Sequence, residues 1–195
     1  MSEKTPSRSR MLKVVIGIWV GVLIVGILLF VLNLTGMLSF SDLTQSQTAL
    51  DPAAAPKVGQ PAPKFALENL AGQTIRLSDL RGRAVILNFW ATWCGPCIRE
   101  MPMFNEYSQK YSSNLVVIGV DMQEDLPVVQ EFLEDLNFDY EMIADQGGEI
   151  GKAYQVFMLP TTFFIDAEGI LRAQHIGSLS EEQFNVYLAE VGVAK

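Results

Sequence analysis

Two residue types are scarce in these 195 residues: cysteine occurs twice and histidine once. A zinc site needs about four ligands. Cys94, Cys97 and His175 cannot supply a Cys/His set within one chain, so no metal is expected. With no cysteine near the N-terminus, lipid attachment through one is excluded. Covalent haem would require histidine directly after Cys97, where Ile98 stands. Positive charge is also short, with 14 basic against 22 acidic residues and a net charge of −8. Nucleic acid is therefore not an expected partner, because phosphate binding needs a cationic face. No internal repeat is visible.

Charge is missing altogether from Val14 to Leu32. A helix over this run would reach roughly 28 Å, close to the hydrocarbon thickness of a bilayer. Lys4, Arg8, Arg10 and Lys13 precede it, and the next basic residue is Lys57. The positive-inside rule then keeps residues 1–13 in the cytoplasm, places a single-pass membrane anchor at 14–34 and exports the rest. A cleaved signal peptide competes with this reading. Asn33–Phe40 makes a poor cleavage site, however, and Ala53-Ala54-Ala55 lies too far downstream. Residues 35–57, rich in Ser, Thr, Gln, Ala and Pro, read as a flexible linker of about 25 Å root-mean-square span. Residues 58–195 remain as one domain with room for a proper core.

Within that domain, Phe65–Leu67 and Thr74–Leu77 flank Ala71-Gly72 as a short hairpin, and Ser78–Gly82 is a turn. Ala84–Trp90 is continuously apolar but for Asn88, which predicts a central strand covered on both faces. Pro96–Tyr111 is predicted helical with a kink at Pro102, and Leu115–Val120 is a second buried strand. Leu126–Leu136 has a helical apolar face. Tyr140–Ile143 reads as a short strand and Glu149–Tyr154 as one or two helical turns. Thr162–Ile165 and Ile170–Ile176 form a hairpin, and a final helix over Ser180–Val191 carries Ser180 and Gln183 in a capping box. Strands alternating with helices imply an α/β fold, a central mixed β-sheet sandwiched by α-helices.

The chemistry lies in Trp93-Cys94-Gly95-Pro96-Cys97. A strand delivers the pair to the start of a helix, where free N–H groups and the helix dipole favour a thiolate at Cys94. Cys97, one turn in, should be more buried and less acidic. Cys94 is then the attacking sulfur, and Cys97 resolves the mixed disulfide. Pro96 suits a first helical turn, and Gly95 lets a substrate chain approach. A purely structural disulfide across two residues would restrain little loop entropy. The acidic residues Glu124-Asp125 and Glu131–Asp139 read as a solvated helix face and its ends, and His175 as an ordinary strand residue.

Asn88–Cys97 resembles the active site of the thioredoxin superfamily. Ile98-Arg99-Glu100-Met101-Pro102 and the lead-in Gly59-Gln60-Pro61-Ala62-Pro63-Lys64-Phe65 are similar to those of membrane-anchored TlpA/ResA-type thiol-disulfide oxidoreductases, relatives of the AhpC/TSA redoxins that include cytochrome c maturation proteins. Leu159-Pro160-Thr161-Thr162-Phe163-Phe164-Ile165-Asp166 matches the family's second signature. The resemblance spans roughly residues 58 to 192. It implies a thioredoxin-like fold and a redox disulfide Cys94–Cys97 needing no bound cofactor. Pro160 would be a cis-proline facing the disulfide, with Leu159 and Thr161 beside it on the path of a substrate strand. Trp93 would shield the sulfurs unless it is a core aromatic. Cytoplasmic thioredoxins carry a buried Asp where Asn88 stands, and Glu100 would replace it as proton acceptor for Cys97. A solvated Glu100 near the helix start is the competing reading.

The resemblance further implies a reductant of exported disulfide-containing proteins, apocytochrome c among them, recharged by a membrane electron donor of the CcdA/DsbD type. A disulfide oxidase or isomerase, and a redox-inert binding module, are the alternatives. A peroxidase of the peroxiredoxin kind would carry Thr three residues before its reactive Cys, where this chain has Ala91.

Overall fold

The computed structural model describes residues 55–136 and 138–193, together with Trp19, Gly21, Leu23, Ile24 and Ile27. Those five residues are helical. The rest of the expected anchor at 14–34, residues 1–13 and the linker up to residue 54 lie outside the described residues. Among the described residues no helix is long and apolar enough to cross a membrane.

The domain opens with a two-stranded antiparallel hairpin, β1 (Ala66–Glu68) and β2 (Thr74–Arg76), followed by a 3-10 turn over Leu77–Leu80. Then come β3 (Ala84–Trp90), α1 (Gly95–Lys110), β4 (Leu115–Met122), α2 (Leu126–Glu134), β5 (Glu141–Asp145), α3 (Glu149–Ala153), β6 (Thr161–Ile165), β7 (Leu171–Ile176) and α4 (Glu181–Glu190). The main sheet has the order β5-β4-β3-β6-β7. β3 runs parallel to β4 and β4 parallel to β5, whereas β6 pairs antiparallel with both β3 and β7. This is the thioredoxin-like mixed sheet that the sequence predicts.

Strand period decides the two cores. On β3, Ile86 and Trp90 face one side with Met101, Phe104, Val129, Phe184 and Leu188 from α1, α2 and α4. Val85, Leu87 and Phe89 face the other side with Tyr154, Phe163, Ile150, Phe65 and Leu77. The second face is thus covered by the short α3, the hairpin and the lead-in segment, rather than by a full helical layer. The lead-in is stitched to the sheet through Gly59 N–H to Leu171 C=O (2.8 Å) and Ala62 N–H to Gly169 C=O (3.0 Å).

Helix limits follow local chemistry. α1 starts one residue earlier than Pro96 because Cys94 serves as its N-cap, and the helix continues through Pro102. Pro102 offers no N–H to the carbonyl of Ile98, so that bond is missing. α4 carries the predicted capping box, with Gln183 N–H donating to Ser180 Oγ and Ser180 N–H to Gln183 Oε1. Gly119 on β4 is a packing requirement: a Cβ there would meet Met142 Sδ at 2.5 Å and Trp90 Nε1 at 3.1 Å.

Phe184 fastens α4 to α1 and the sheet through rings at 5.4 Å from Phe104, 5.0 Å from Tyr107 and 5.9 Å from Phe164. Phe184→Ala is expected to cost about 3–5 kcal/mol, read as a lowered midpoint in urea unfolding.

Candidate active site

Strand pairing assembles the site. Phe89 on β3 is opposite Thr161 on β6, so the residues just beyond each meet at one end of the sheet. One is the loop Ala91–Trp93 leading to Cys94. The other is the turn ending in Leu159–Pro160, whose peptide bond is cis. The cis bond expected at Pro160 is therefore present.

Cys94 and Cys97 form a disulfide, with Cα atoms 5.3 Å apart. Cys94 N–H donates to Ala91 C=O (3.0 Å), and Ile98 N–H to Cys94 C=O (3.1 Å). The N–H of Cys97 points at Cys94 Sγ, 3.3 Å away. A cysteine so placed would have its thiolate stabilised by a hydrogen bond and by the helix terminus. Both residues are buried, Cys97 completely. Gly95 is exposed and Pro96 partly so.

Trp93 is 72% exposed, which rules out the core-aromatic alternative. Phe157 and Met158, just ahead of Leu159 and Pro160, are also exposed apolar residues. Leu159 is half-buried, whereas Thr161 is buried and its hydroxyl donates to Met158 C=O (2.7 Å). Thr161 thus braces the turn with its side chain.

Asn88 is fully buried opposite Gly119 and Thr162, and its Nδ2 donates to Thr162 Oγ1 (3.0 Å). Glu100 is not a solvated charge: it is 5% exposed, one turn past Cys97. Its Oε1 accepts from Leu179 N–H (2.5 Å), and Oε2 is buried without a partner. Burial pushes its carboxyl up to about 7, against the opposing pull of the Leu179 N–H, the Ser178 side chain and the Arg99 charge. A group titrating there can exchange a proton near neutral pH. His175 lies next to the same turn, with Nε2 3.1 Å from Ser178 C=O and Nδ1 3.3 Å from Tyr187 Oη.

One acidic feature differs from its sequence reading. Glu124 is only half-exposed, and its carboxylate is engaged rather than free. Its carboxylate accepts from Thr92 N–H (2.6 Å) and from the Thr92 hydroxyl (2.7 Å), and behind it Asp121 is fully buried. Asp121 ends the otherwise apolar run of β4, and an aspartate in that position was the available signal. Among the described residues no group of three or more His, Cys, Asp or Glu side chains is placed to hold a metal ion.

Residues 58–174 match the AhpC/TSA family. The thiol-disulfide oxidoreductase ResA of Bacillus thuringiensis subsp. konkukian is 39% identical over 136 residues, covering 69% of this chain and 79% of the relative. The ResA of Geobacillus kaustophilus is 36% identical over 166 residues, covering 85% and 92%. Among solved structures, a putative thiol:disulfide interchange protein DsbE from Chlorobium tepidum superposes with a TM-score of 0.66 at 32% identity, covering 71% of this chain and 100% of that one. StoA from Bacillus subtilis superposes with a TM-score of 0.57 at 27% identity, covering 65% and 96%. With a redox disulfide capping a helix beside a cis-proline, the chain belongs to the AhpC/TSA family of the thioredoxin superfamily, as a ResA-type thiol-disulfide oxidoreductase.

Proposed function

We propose that this oxidoreductase is anchored in the cell membrane through residues 14–34 and works outside the cytoplasm as a reductant of exported proteins, apocytochrome c among its substrates. The observation that carries the dithiol exchange is Glu100, buried one turn beyond Cys97 with an unpartnered oxygen. The uncharged run at Val14–Leu32, with basic residues only on its N-terminal side, supports the anchor and its orientation.

In the reductive cycle Cys94 thiolate attacks one sulfur of a substrate disulfide. The substrate's S–S bond breaks, one of its sulfurs leaves as thiolate, and the other is held in a mixed disulfide. Glu100 accepts the Cys97 proton. The Cys97 thiolate then attacks Cys94 Sγ, expelling the second substrate thiolate. Two electrons pass to the substrate, and Cys94–Cys97 ends oxidised. Leu159 and cis-Pro160 line the approach, where the substrate backbone would align as an added strand. Trp93, Phe157 and Met158 offer apolar surface around it. A membrane electron donor of the CcdA/DsbD type would restore the dithiol.

The equilibrium potential against glutathione tests the direction of flow. It should fall on the reducing side, and a value above roughly −180 mV would overturn the reductant reading. Cys97→Ser should leave substrates covalently attached to Cys94, so that oxidised apocytochrome c is recovered as a mixed disulfide sensitive to dithiothreitol.

Glu100→Gln is expected to slow exchange by about tenfold or more near pH 7 and to flatten its profile between pH 6 and 9. Wild-type rates that do not vary over that range would sink the proton-acceptor role. The same carboxyl carries a stability signature. Its folded value lies above its ordinary one of 4.5, so the native state binds the proton more tightly. Stability through this group is present below about pH 4.5 and is lost as pH rises toward 7, by roughly 3 kcal/mol. Glu100→Gln should lessen the fall between urea titrations run at pH 4 and pH 8 by about that amount, leaving what other buried carboxyls contribute.

A further inference from the structure

Two carboxyl groups meet behind the loop that carries Cys94, and a third lies on the neighbouring strand with its side chain on the other face of the sheet. Asp121 belongs to β4, Glu124 to the turn after it, and Asp145 to the end of β5, where Asp145 pairs with Met122. Asp145 is already committed, accepting from Glu149 N–H and Gly151 N–H of α3 at 2.8 Å each. No cation serves the group: the two ion pairs among the described residues are Arg76–Asp79 and Arg172–Asp166. Asp121 Oδ1 accepts from Glu124 N–H (3.2 Å), while its buried Oδ2 has no donor.

A buried oxygen without a donor is costly if the carboxyl is ionised, and two adjacent carboxylates cannot both be charged cheaply. One proton resolves both problems. Held on Asp121, it gives that carboxyl a hydroxyl to share with the Glu124 side chain. Glu124 stays charged and keeps its two bonds to Thr92. The shifts run in the matching directions: burial, the Glu124 hydrogen bond and its charge raise Asp121 to about 8, while Asp121 and Thr92 hold Glu124 below its usual range. Such a pair titrates as a unit.

We propose that Glu124 is a positioning residue for the dithiol: sharing one proton with Asp121, it clamps Thr92 from both N–H and hydroxyl and so sets the loop presenting Cys94. Thr92 precedes Cys94 by two residues, and Cys94 N–H closes back onto Ala91 C=O, so the clamp lies within the turn that aims the attacking sulfur. When Asp121 loses its proton, a second charge opposes Glu124. Glu124 is driven off Thr92 and the loop is released. The link to exchange rests on the dithiol reading above; the clamp itself does not.

The full-length chain in detergent, oxidised so that neither cysteine titrates and labelled with nitrogen-15 at threonine, tests the clamp through the Thr92 amide. In wild type this resonance should shift through one inflection between pH 7 and 9. Asp121→Asn, which keeps a donor for Glu124 and cannot ionise, should remove the inflection. A wild-type amide that does not titrate, or an inflection that survives in Asp121→Asn, overturns the proposal. Glu124→Gln should speed solvent exchange of the Thr92 amide about tenfold; if that variant does not fold, Thr92→Val, which removes only the hydroxyl bond and is labelled with nitrogen-15 at valine instead, should speed exchange of the residue 92 amide in the same direction. An unchanged amide overturns the clamp. In the reduced protein, the disulfide-exchange rate of Asp121→Asn relative to wild type should be near one at pH 6 and rise to about threefold at pH 9. A ratio independent of pH overturns the coupling to the dithiol. If every form is inert in exchange, the reductase reading fails, and the amide titration still decides the clamp.

Discussion

β3 is paired on both sides, to β4 in parallel and to β6 antiparallel, and that double pairing fixes where every reactive group stands. The register of β3 against β6 puts cis-Pro160 at the end of the sheet where the chain turns toward Cys94. The register against β4 puts Asp121 opposite Trp90 and brings Glu124 to Thr92. A slip of one residue in either pairing would exchange the two faces of the strand. It would also separate the disulfide from both of its neighbours. The continuous burial of Ala84–Trp90 makes such a slip expensive, because both faces are already packed against side chains.

Two carboxyl groups near the disulfide are buried, neither in an ion pair among the described residues, and each accepts from a backbone amide. Glu100 meets Leu179 N–H, and Asp121 meets Glu124 N–H. Each amide recovers part of the desolvation penalty, so both carboxyls remain able to ionise in an ordinary pH range. They differ in what lies beside them. Glu100 stands one turn from Cys97 and has a free oxygen, which suits proton transfer. Asp121 stands against another carboxyl and suits a shared proton that holds structure. The same physics of burial thus leaves two carboxyls in different company, one beside a cysteine and one beside a second carboxyl.

Much of the domain was legible because its signals are local. Ala84–Trp90, the Cys94–Cys97 spacing at a helix start and the Ser180–Gln183 cap each depend on residues adjacent in the chain, and the observed elements match them closely. The coverage of the second sheet face was less legible. Phe65, Leu77 and Tyr154 come from three irregular or short segments that carry no helical period, so a full helical layer was the natural expectation. Glu124 was misread for a related reason. In sequence it sits among acids that do face water, and nothing local says that Thr92, thirty-two residues earlier, supplies two donors to it.

By itself the sequence determined the Cys94–Cys97 pair and its place at the start of a helix. It also determined the strand that carries it. Only the tertiary structure decided which carboxylates belong to the site. Whether an acid is solvated or buried depends on what packs over it, and the residues that cover Glu100 and partner Glu124 are 79 and 32 positions away. Protonation follows burial, and burial is a property of the assembled fold.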